Sequence, residues 1–253
     1  MKRLNLDDVR EYVEKNISTF HKKKIASIAQ IRLNDVVKRK NPYFFRAKNV
    51  IAADEWVRAV VEARVSSSEE TMFGDWLEGL AIHVNGLVFG GRKSGISGID
   101  LEFDNAGTRY VVAIKSGPSW GNSSQIAKMR TDFKQAIRTL RTSGSGINVV
   151  AVNGCCYGRD QNEDKGDYFK YCGQSFWEFI SGEPSLYTDL VEPISYEAKR
   201  HTDEFATLYA QAINKLTGEF IKRYCDANGA IDWVEIVRIN SGRQPSGKSA
   251  DTH

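Results

Sequence analysis

Hydrophobic residues in the first fifty positions recur at the spacing of a helix. Val9, Val13 and Ile17 stand four residues apart, so they share one face of an amphipathic helix. The pattern continues less regularly to Pro42, where it breaks because proline disfavours helical backbone in the residue before it. We therefore predict helices over residues 6–49.

Two more helices are predicted before residue 90, separated by a run of serines. Ala52–Val65 has helical spacing, with acidic and basic residues alternating along it, and Ser66–Ser68 interrupts the pattern. Helical spacing resumes from Glu69 to about Val84. Gly90–Gly98 is then predicted to be a glycine-rich connection.

The centre of the chain changes to the two-residue period of a β-strand. Ile99–Asp104 alternates apolar with acidic residues, which places the three acids on one face. Asn105–Gly107 is a turn signal, and Thr108–Lys115 is a second, more apolar strand. The two strands are predicted to form a hairpin.

One helix and one strand after the hairpin complete the predicted fold. Apolar residues at three- and four-residue steps from Ile126 to Leu140 indicate a helix, which the polar loop Ser116–Ser124 precedes. Ile147–Val152 is a short apolar strand. The order helix, hairpin, helix, strand predicts an α/β (α+β) protein with a mixed central β-sheet flanked by helices.

The rest of the chain contains two helices and one ambiguous segment. Residues 154–173 have no clear period, a helix begins near Phe176, and a long helix spans Thr202 to Tyr224. Ile231–Ile239 fits either a strand or a short helix. Three segments are predicted overall: a basic helical segment at 1–50, a core with additions at 51–240, and a disordered tail at 241–253.

Composition restricts the class of protein. The chain has 253 residues, of which 41% are hydrophobic and 26% charged, so a packed core is expected and disorder as the main state is excluded. The longest apolar run, Tyr110–Ile114, is far below the ~20 residues of a membrane-spanning helix. Met1–Asp8 lacks the apolar segment of a secretory signal. We expect a soluble, cytoplasmic protein without a membrane partner.

Charge is informative through its distribution. The formal net charge is only +3, yet residues 20–48 hold nine Lys or Arg against one acid, Asp35. This basic segment, with Tyr43 and Phe44 inside it, could bind a phosphate backbone or could be a solvated helix face. Four cysteines without an export signal are more typical of reduced thiols than of disulfides.

Asp100 and Lys115 are the candidates for chemistry. Each lies on one strand of the predicted hairpin, and a short turn can bring the two side chains together. A carboxylate can hold a hard divalent cation, and an ammonium can stabilise charge on a phosphate, as metal-assisted phosphodiester hydrolysis requires. The alternative is an ordinary cross-strand ion pair.

Longer strings of residues carry a resemblance to a known family. Gly98-Ile99-Asp100, a turn, then Val111–Gly117, preceded by a helix with Glu78, resembles the core of the PD-(D/E)xK nuclease superfamily. Asn41–Asn49 and Lys115–Asn122 are similar to type II restriction endonucleases, in particular the PmeII-like group.

The resemblance implies a restriction-endonuclease-like core with helical N- and C-terminal additions, in which residues 51–240 hold the nuclease. It implies Mg²⁺-dependent cleavage of double-stranded DNA at a short site by a homodimer, with Mn²⁺ as a substitute. A cognate DNA methyltransferase in the same restriction-modification system is implied as a partner.

The family pattern matches this sequence only in part. Asp100 matches the first acid and Lys115 the lysine, but Ile99 replaces the proline and Ala113 replaces the second acid. Glu78 is the first choice for the missing carboxylate by resemblance. The further candidates, in order, are Glu102, which shares the strand face of Asp100, and Asp132 on the next helix; the Ile114 carbonyl is a metal ligand implied by related nucleases.

Candidate DNA contacts lie on and before the helix that follows the hairpin. Asn122 and Ser123 could hold a phosphate at the helix start, or could simply cap the helix. A basic stripe on that helix could bind DNA or be a solvated face; its members are Arg130, Lys134, Arg138 and Arg141. Candidates for base reading are Arg159, Gln161 and Asn162.

Two rival functions use the same fold. The alanine at position 113 could mark a DNA-binding protein whose catalytic site has decayed. A structure-selective repair nuclease is the other alternative, and it would cut branched or damaged DNA without a fixed set of fragments. The primary hypothesis is a type II site-specific deoxyribonuclease.

Overall fold

A computed structural model of the chain describes residues 2–143, 146–196 and 198–243. Its contacts divide the chain into two compact units, each built from two separate stretches. The first unit comprises Met1–His21 with Glu70–Ala198, and the second comprises Lys22–Glu69 with Lys199–His253. These units differ from the segments predicted at 1–50 and 51–240. Residues 244–253 of the predicted tail lie outside the described residues.

Helices lie before and after the five strands, and one helix lies between the third and fourth strands. The strands are β1 (Arg92–Lys93), β2 (Leu101–Asn105), β3 (Thr108–Lys115), β4 (Asn148–Cys155) and β5 (Phe169–Cys172). The helices are α1 (Leu6–Ala29), α2 (Leu33–Arg39), α3 (Pro42–Ala47), α4 (Ala53–Phe89), α5 (Ser123–Ser143), α6 (Gln174–Ser181), α7 (Leu186–Asp189), α8 (Val191–Ile194), α9 (Ala198–Tyr224) and α10 (Trp233–Ser241).

The strands of the first unit form one mixed sheet in the order β1-β2-β3-β4-β5. The β2–β3 pair is antiparallel, as the hairpin prediction requires, with Leu101 opposite Val112. β3 and β4 are parallel, and Lys115 is the register partner of Cys155. Helix α5 connects these two strands, because parallel neighbours need a crossover between them. The predicted mixed sheet with flanking helices is confirmed.

Each face of the sheet is covered by helices. One face packs against α4 and α6, and the other packs against α5. Alternate residues of β3 therefore belong to different hydrophobic clusters: Val112 and Ile114 face α4, whereas Val111 and Ala113 face α5. Both faces are buried, which explains why β3 is a nearly continuous apolar run.

Two local predictions need correction, and one alternative left open by the sequence is resolved. The interruption at Ser66–Ser68 is wrong: α4 is continuous, and the Ser68 hydroxyl donates to the Arg64 carbonyl within the helix, so serine is accommodated there. The irregular segment 154–173 contains a strand, β5. The ambiguous C-terminal segment is a helix, α10, whose first turn is capped by Asp232.

The second unit is a helical assembly with its own core. Trp56 of α4 stacks on Phe220 of α9 with 4.7 Å between the ring centroids. The Asn240 amide of α10 donates to the backbone carbonyls of Val37 and Lys40, which ties α10 to the end of α2. Among the described residues, no helix combines the length and apolarity needed to cross a membrane.

Candidate active site

Asp100 and Lys115 lie side by side at the open end of the β2–β3 hairpin. Lys115 Nζ is 4.0 Å from Asp100 Oδ2, and the two side chains are 33% and 23% exposed, so solvent reaches both. The backbone nitrogen of Ile114 donates to Asp100 Oδ2 at 2.7 Å, which anchors the carboxylate to β3. The structure therefore brings together the two residues that the sequence singled out.

Lys115 is also held from the side of the following loop. The Trp120 ring lies below the ammonium, with Lys115 Nζ 5.3 Å from the ring centroid, a distance at which a cation is attracted to the aromatic face. The Trp120 indole donates to Asn153 Oδ1 at 3.1 Å. Asn153 in turn donates to the Ala113 carbonyl at 3.1 Å, so one buried amide links the loop to β3.

Glu78 of α4 shares the electrostatic environment of Asp100. Burial raises the pKa of the Glu78 carboxyl and the negative charge of Asp100 raises it further, while the hydrogen bond from Lys93 lowers it. Lys93 Nζ lies 3.3 Å from Glu78 Oε1. The two carboxylates thus influence each other, and each has one lysine beside it, Lys93 for Glu78 and Lys115 for Asp100.

Ala113 occupies the position of the absent second acid, and the structure makes it a core residue. It is 1% exposed and belongs to the hydrophobic cluster of Met129 and Phe133 beneath α5. Its register partner on β4 is Asn153. A carboxylate at position 113 would enter an apolar environment, so this position supplies no metal ligand.

The other two candidate carboxylates have partners of their own. Glu102 is 7% exposed and accepts a hydrogen bond from the Ser94 hydroxyl. Asp132 accepts from Lys128 Nζ at 2.8 Å, and its carboxylate lies against Gly98, where a Cβ would come within 2.5 Å of it. Gly98, two residues before Asp100, is therefore required for packing against α5.

The residues of this site fit a hard divalent cation. Among the described residues, no three His, Cys, Asp or Glu side chains are grouped to hold a metal by themselves. Mg²⁺, however, usually takes one or two carboxylates and completes its coordination with water and phosphate oxygens. Asp100 and Glu78, whose mutual repulsion raises the Glu78 pKa, supply such carboxylates, and the Ile114 carbonyl is the third candidate oxygen.

The predicted phosphate-binding residues at the start of α5 form a cap. The Asn122 side chain accepts from the Gln125 backbone nitrogen at 3.0 Å, and Gln125 Oε1 accepts from the Asn122 backbone nitrogen at 2.9 Å. This reciprocal pair is a capping box. Ser123 is the first residue of α5 and is exposed. The geometry matches the capping alternative that the sequence left open.

All four cations of the basic stripe of α5, including Arg141, are exposed, and one of them has an acidic partner. Arg130 makes a bidentate ion pair with Asp167 and lies over the Tyr168 ring, so a phosphate would have to displace an existing partner. Lys134 and Arg138 are exposed on the same helix. All three candidates for base reading are exposed in the segment after β4, namely Arg159, Gln161 and Asn162.

Sequence reasoning missed the residues that support Lys115 and Glu78. Lys93 stands in the predicted glycine-rich connection, where no periodicity assigns its direction. Asn153 gave a weak signal, because it is a polar residue that directly follows an apolar strand. Its pairing with Trp120 joins residues 33 positions apart, which no local pattern reveals.

One family model matches the chain. It is described as type II restriction endonuclease EcoO109I, and it matches residues 7–202, a segment that contains the whole sheet and all three central site residues. The finer resemblance to the PmeII-like group is not confirmed by this match. The comparison with curated proteins gives no match.

Proposed function

The chain belongs to the EcoO109I family of type II restriction endonucleases, and from this premise we propose that it hydrolyses phosphodiester bonds of double-stranded DNA at a specific sequence with Mg²⁺. Family membership implies a nuclease, hence a hydrolase with DNA as substrate. The metal dependence, the sequence specificity and the roles of individual residues are the proposal.

One observation carries the proposal. Asp100 and Lys115 meet at 4.0 Å at a solvent-exposed end of the sheet, with Glu78 close enough for its pKa to respond to the charge of Asp100. A merely structural ion pair would draw its charges together and would not be joined by a second acid. Two neighbouring carboxylates beside an accessible lysine suit a divalent cation and a phosphate.

Each residue has a distinct proposed role. Asp100 and Glu78 would hold the metal ion with the Ile114 carbonyl, and the bound metal supplies Lewis-acid activation of the phosphate and of a water molecule. The Lys115 ammonium stabilises negative charge that develops on the phosphoryl oxygens. Trp120 and the Ile114 backbone nitrogen hold Lys115 and Asp100 in position.

Further properties follow from the family resemblance and remain predictions. A homodimer would cut the two antiparallel strands of a near-palindromic site symmetrically. A cognate methyltransferase would protect host DNA, and a cytoplasmic location would place both enzymes with their substrate. Mn²⁺ is expected to replace Mg²⁺, because both accept oxygen ligands.

The burial of Ala113 favours a second candidate function. With this position apolar, the site has fewer carboxylates than the family pattern, as in a DNA-binding protein that has lost catalysis. Such a protein would bind duplex DNA and cut nothing with any divalent metal.

Digestion of a sequenced plasmid tests both candidates. With Mg²⁺ we expect discrete fragments whose ends map to one short sequence, and without metal we expect intact plasmid. Failure of the purified wild-type protein to cut any of several unrelated plasmids in Mg²⁺ or Mn²⁺ would refute the nuclease. Fragments without a common end sequence would instead indicate the structure-selective nuclease.

A further inference from the structure

We propose that Tyr157 contacts the DNA backbone beside the cleaved bond and that the absence of a side chain at Gly117 allows the Tyr157 ring to pack there. The inference rests on the proposed function, because it names a substrate contact of the same site. Tyr157 was not singled out by the sequence, and Gly117 entered only as part of the residue strings that carry the family resemblance.

Tyr157 emerges from the sheet next to Lys115. The backbone nitrogen of Cys156 donates to the Lys115 carbonyl at 2.9 Å, and that of Tyr157 donates to the Ser116 carbonyl at 3.1 Å. The chain beyond β4 thus stays attached to the chain beyond β3. Tyr157 follows Cys155 by two residues, and Cys155 is the register partner of Lys115. The tyrosine is therefore fixed at the end of the sheet where Lys115 lies.

The Tyr157 ring lies on Gly117. A Cβ added to Gly117 would come within 2.2 Å of Tyr157 Cζ and 2.5 Å of its hydroxyl oxygen, so a side chain at position 117 would displace the ring. Gly117 is buried, although it lies in a loop, whereas Tyr157 is 60% exposed. The ring covers the glycine with one side and leaves the remainder accessible.

The turn that carries Tyr157 is itself tightly packed. Gly158 has a φ of +93° and lies against Pro118, where a Cβ would come within 2.5 Å of the proline ring. A Cβ on Gly173 would come within 2.5 Å of the Gly158 carbonyl oxygen. The backbone that follows Tyr157 is therefore closely packed, which fixes where the tyrosine side chain leaves the sheet.

An exposed tyrosine beside the proposed site is suited to a phosphate contact. None of the described residues hydrogen-bonds to the Tyr157 hydroxyl, which leaves this donor available. Tyrosine hydroxyls are among the groups that position DNA through its phosphates. As a neutral donor, Tyr157 would add no charge that competes with Lys115 or with a metal ion.

A double-mutant cycle on the full chain tests the inference. The variants are Tyr157→Phe, Tyr157→Ala, Gly117→Ala and the pair Gly117→Ala with Tyr157→Ala. The probe is a fluorescent duplex containing the sequence at which wild-type protein cuts plasmid, or a plasmid fragment of equal length if it cuts none. Binding is measured by anisotropy without divalent metal.

We expect Tyr157→Phe to raise Kd about tenfold, because it removes one hydrogen bond to a charged group and keeps the ring. Gly117→Ala should weaken binding as much as Tyr157→Ala, and the pair should be no worse than either alone, since both changes remove the same contact.

Unchanged Kd in Tyr157→Phe would overturn the inference, and Phe retains the ring that packs on Gly117, so misfolding would not explain the result. Additive losses in the pair would overturn the seating role of Gly117. Tyr157-dependent binding by a wild-type protein that never cuts would support the inference while refuting the proposed nuclease.

Discussion

The two ends of the β2–β3 hairpin each carry an acid and a cation, and they differ in how the charges meet. At the turn end, Arg109 donates two hydrogen bonds of 2.8 Å to the Asp104 carboxylate. At the open end, Lys115 stays 4.0 Å from Asp100. The hydrogen bond from Arg109 lowers the pKa of Asp104, whereas the charge of Asp100 contributes to raising the pKa of Glu78.

This difference is the basis on which we assign a structural role to the turn pair and propose a catalytic role for the open pair. In the turn pair, both oxygens of the Asp104 carboxylate accept a hydrogen bond from Arg109, which is the bidentate geometry of a strong ion pair. The open pair is longer, and Glu78, which is paired with Lys93, adds a second carboxylate that could share a divalent cation with Asp100. An acidic and a basic residue on one hairpin therefore do not indicate a function until the geometry of the pair is known.

The largest expected effect comes from removing the carboxylate at each end in turn. Asp100→Asn should reduce cleavage at least about 100-fold, because the loss removes a proposed metal ligand. The matched control Asp104→Asn should leave cleavage within about twofold. Initial rates on a plasmid with Mg²⁺ measure both, and equal losses at the two ends would contradict the comparison.

Glu78→Gln should lower cleavage and stabilise the metal-free protein. Burial and Asp100 raise the Glu78 pKa above 4.5, so the ionised carboxylate costs stability at pH 7, and glutamine removes that cost. The gain should vanish below about pH 4, where folded and unfolded states both hold the proton.

Thermal melting without metal, at pH 7 and at pH 4, measures this gain in Tm. Added Mg²⁺ should stabilise the wild type and not the variant. A lower Tm of Glu78→Gln at pH 7, or equal stabilisation of both proteins by Mg²⁺, would be inconsistent with two crowded carboxylates.

Restoring the family's second acid should fail. Ala113→Asp places a carboxylate at a position that is 1% exposed beneath α5, and we expect unfolding to become easier by about 3 kcal/mol without any gain in cleavage. Urea denaturation measures the stability, and Ala113→Val is the apolar control for added volume. Faster cleavage by the aspartate variant would show that the site lacks a ligand that Glu78 does not supply.

The smallest effect is expected at the turn. Arg109→Ala should cost about 0.5 kcal/mol at pH 7, because the Asp104 side chain is 60% exposed and solvent screens the pair. The pKa of Asp104 is lowered by folding, so the contribution is present above pH 3.8 and is lost as the pH falls through the folded value. Denaturation at pH 7 and pH 2 should show the difference shrinking.

Local sequence predicted the hairpin because strand alternation and turn residues are short-range signals, whereas the chemistry assigned to it stays a prediction. They placed Asp100 and Lys115 on neighbouring strands, and the structure supplied the register that joins them. The continuity of α4 was missed, since three serines resemble a break although their hydroxyls can bond within a helix. The environments of Ala113 and Asn153 depend on contacts between distant segments, which no period encodes.

The amide of Asn153 has a chemical consequence. It donates to one backbone carbonyl and accepts from one indole, and an aspartate of the same size could accept but not donate. Asparagine followed by glycine, as at Asn153-Gly154, is the dipeptide in which the next backbone nitrogen most readily attacks the side chain and expels ammonia. Asn153 and Gly154 both lie in the extended backbone of β4, which keeps the Gly154 nitrogen away from the Asn153 side-chain carbonyl. We therefore expect the fold to slow the deamidation of Asn153.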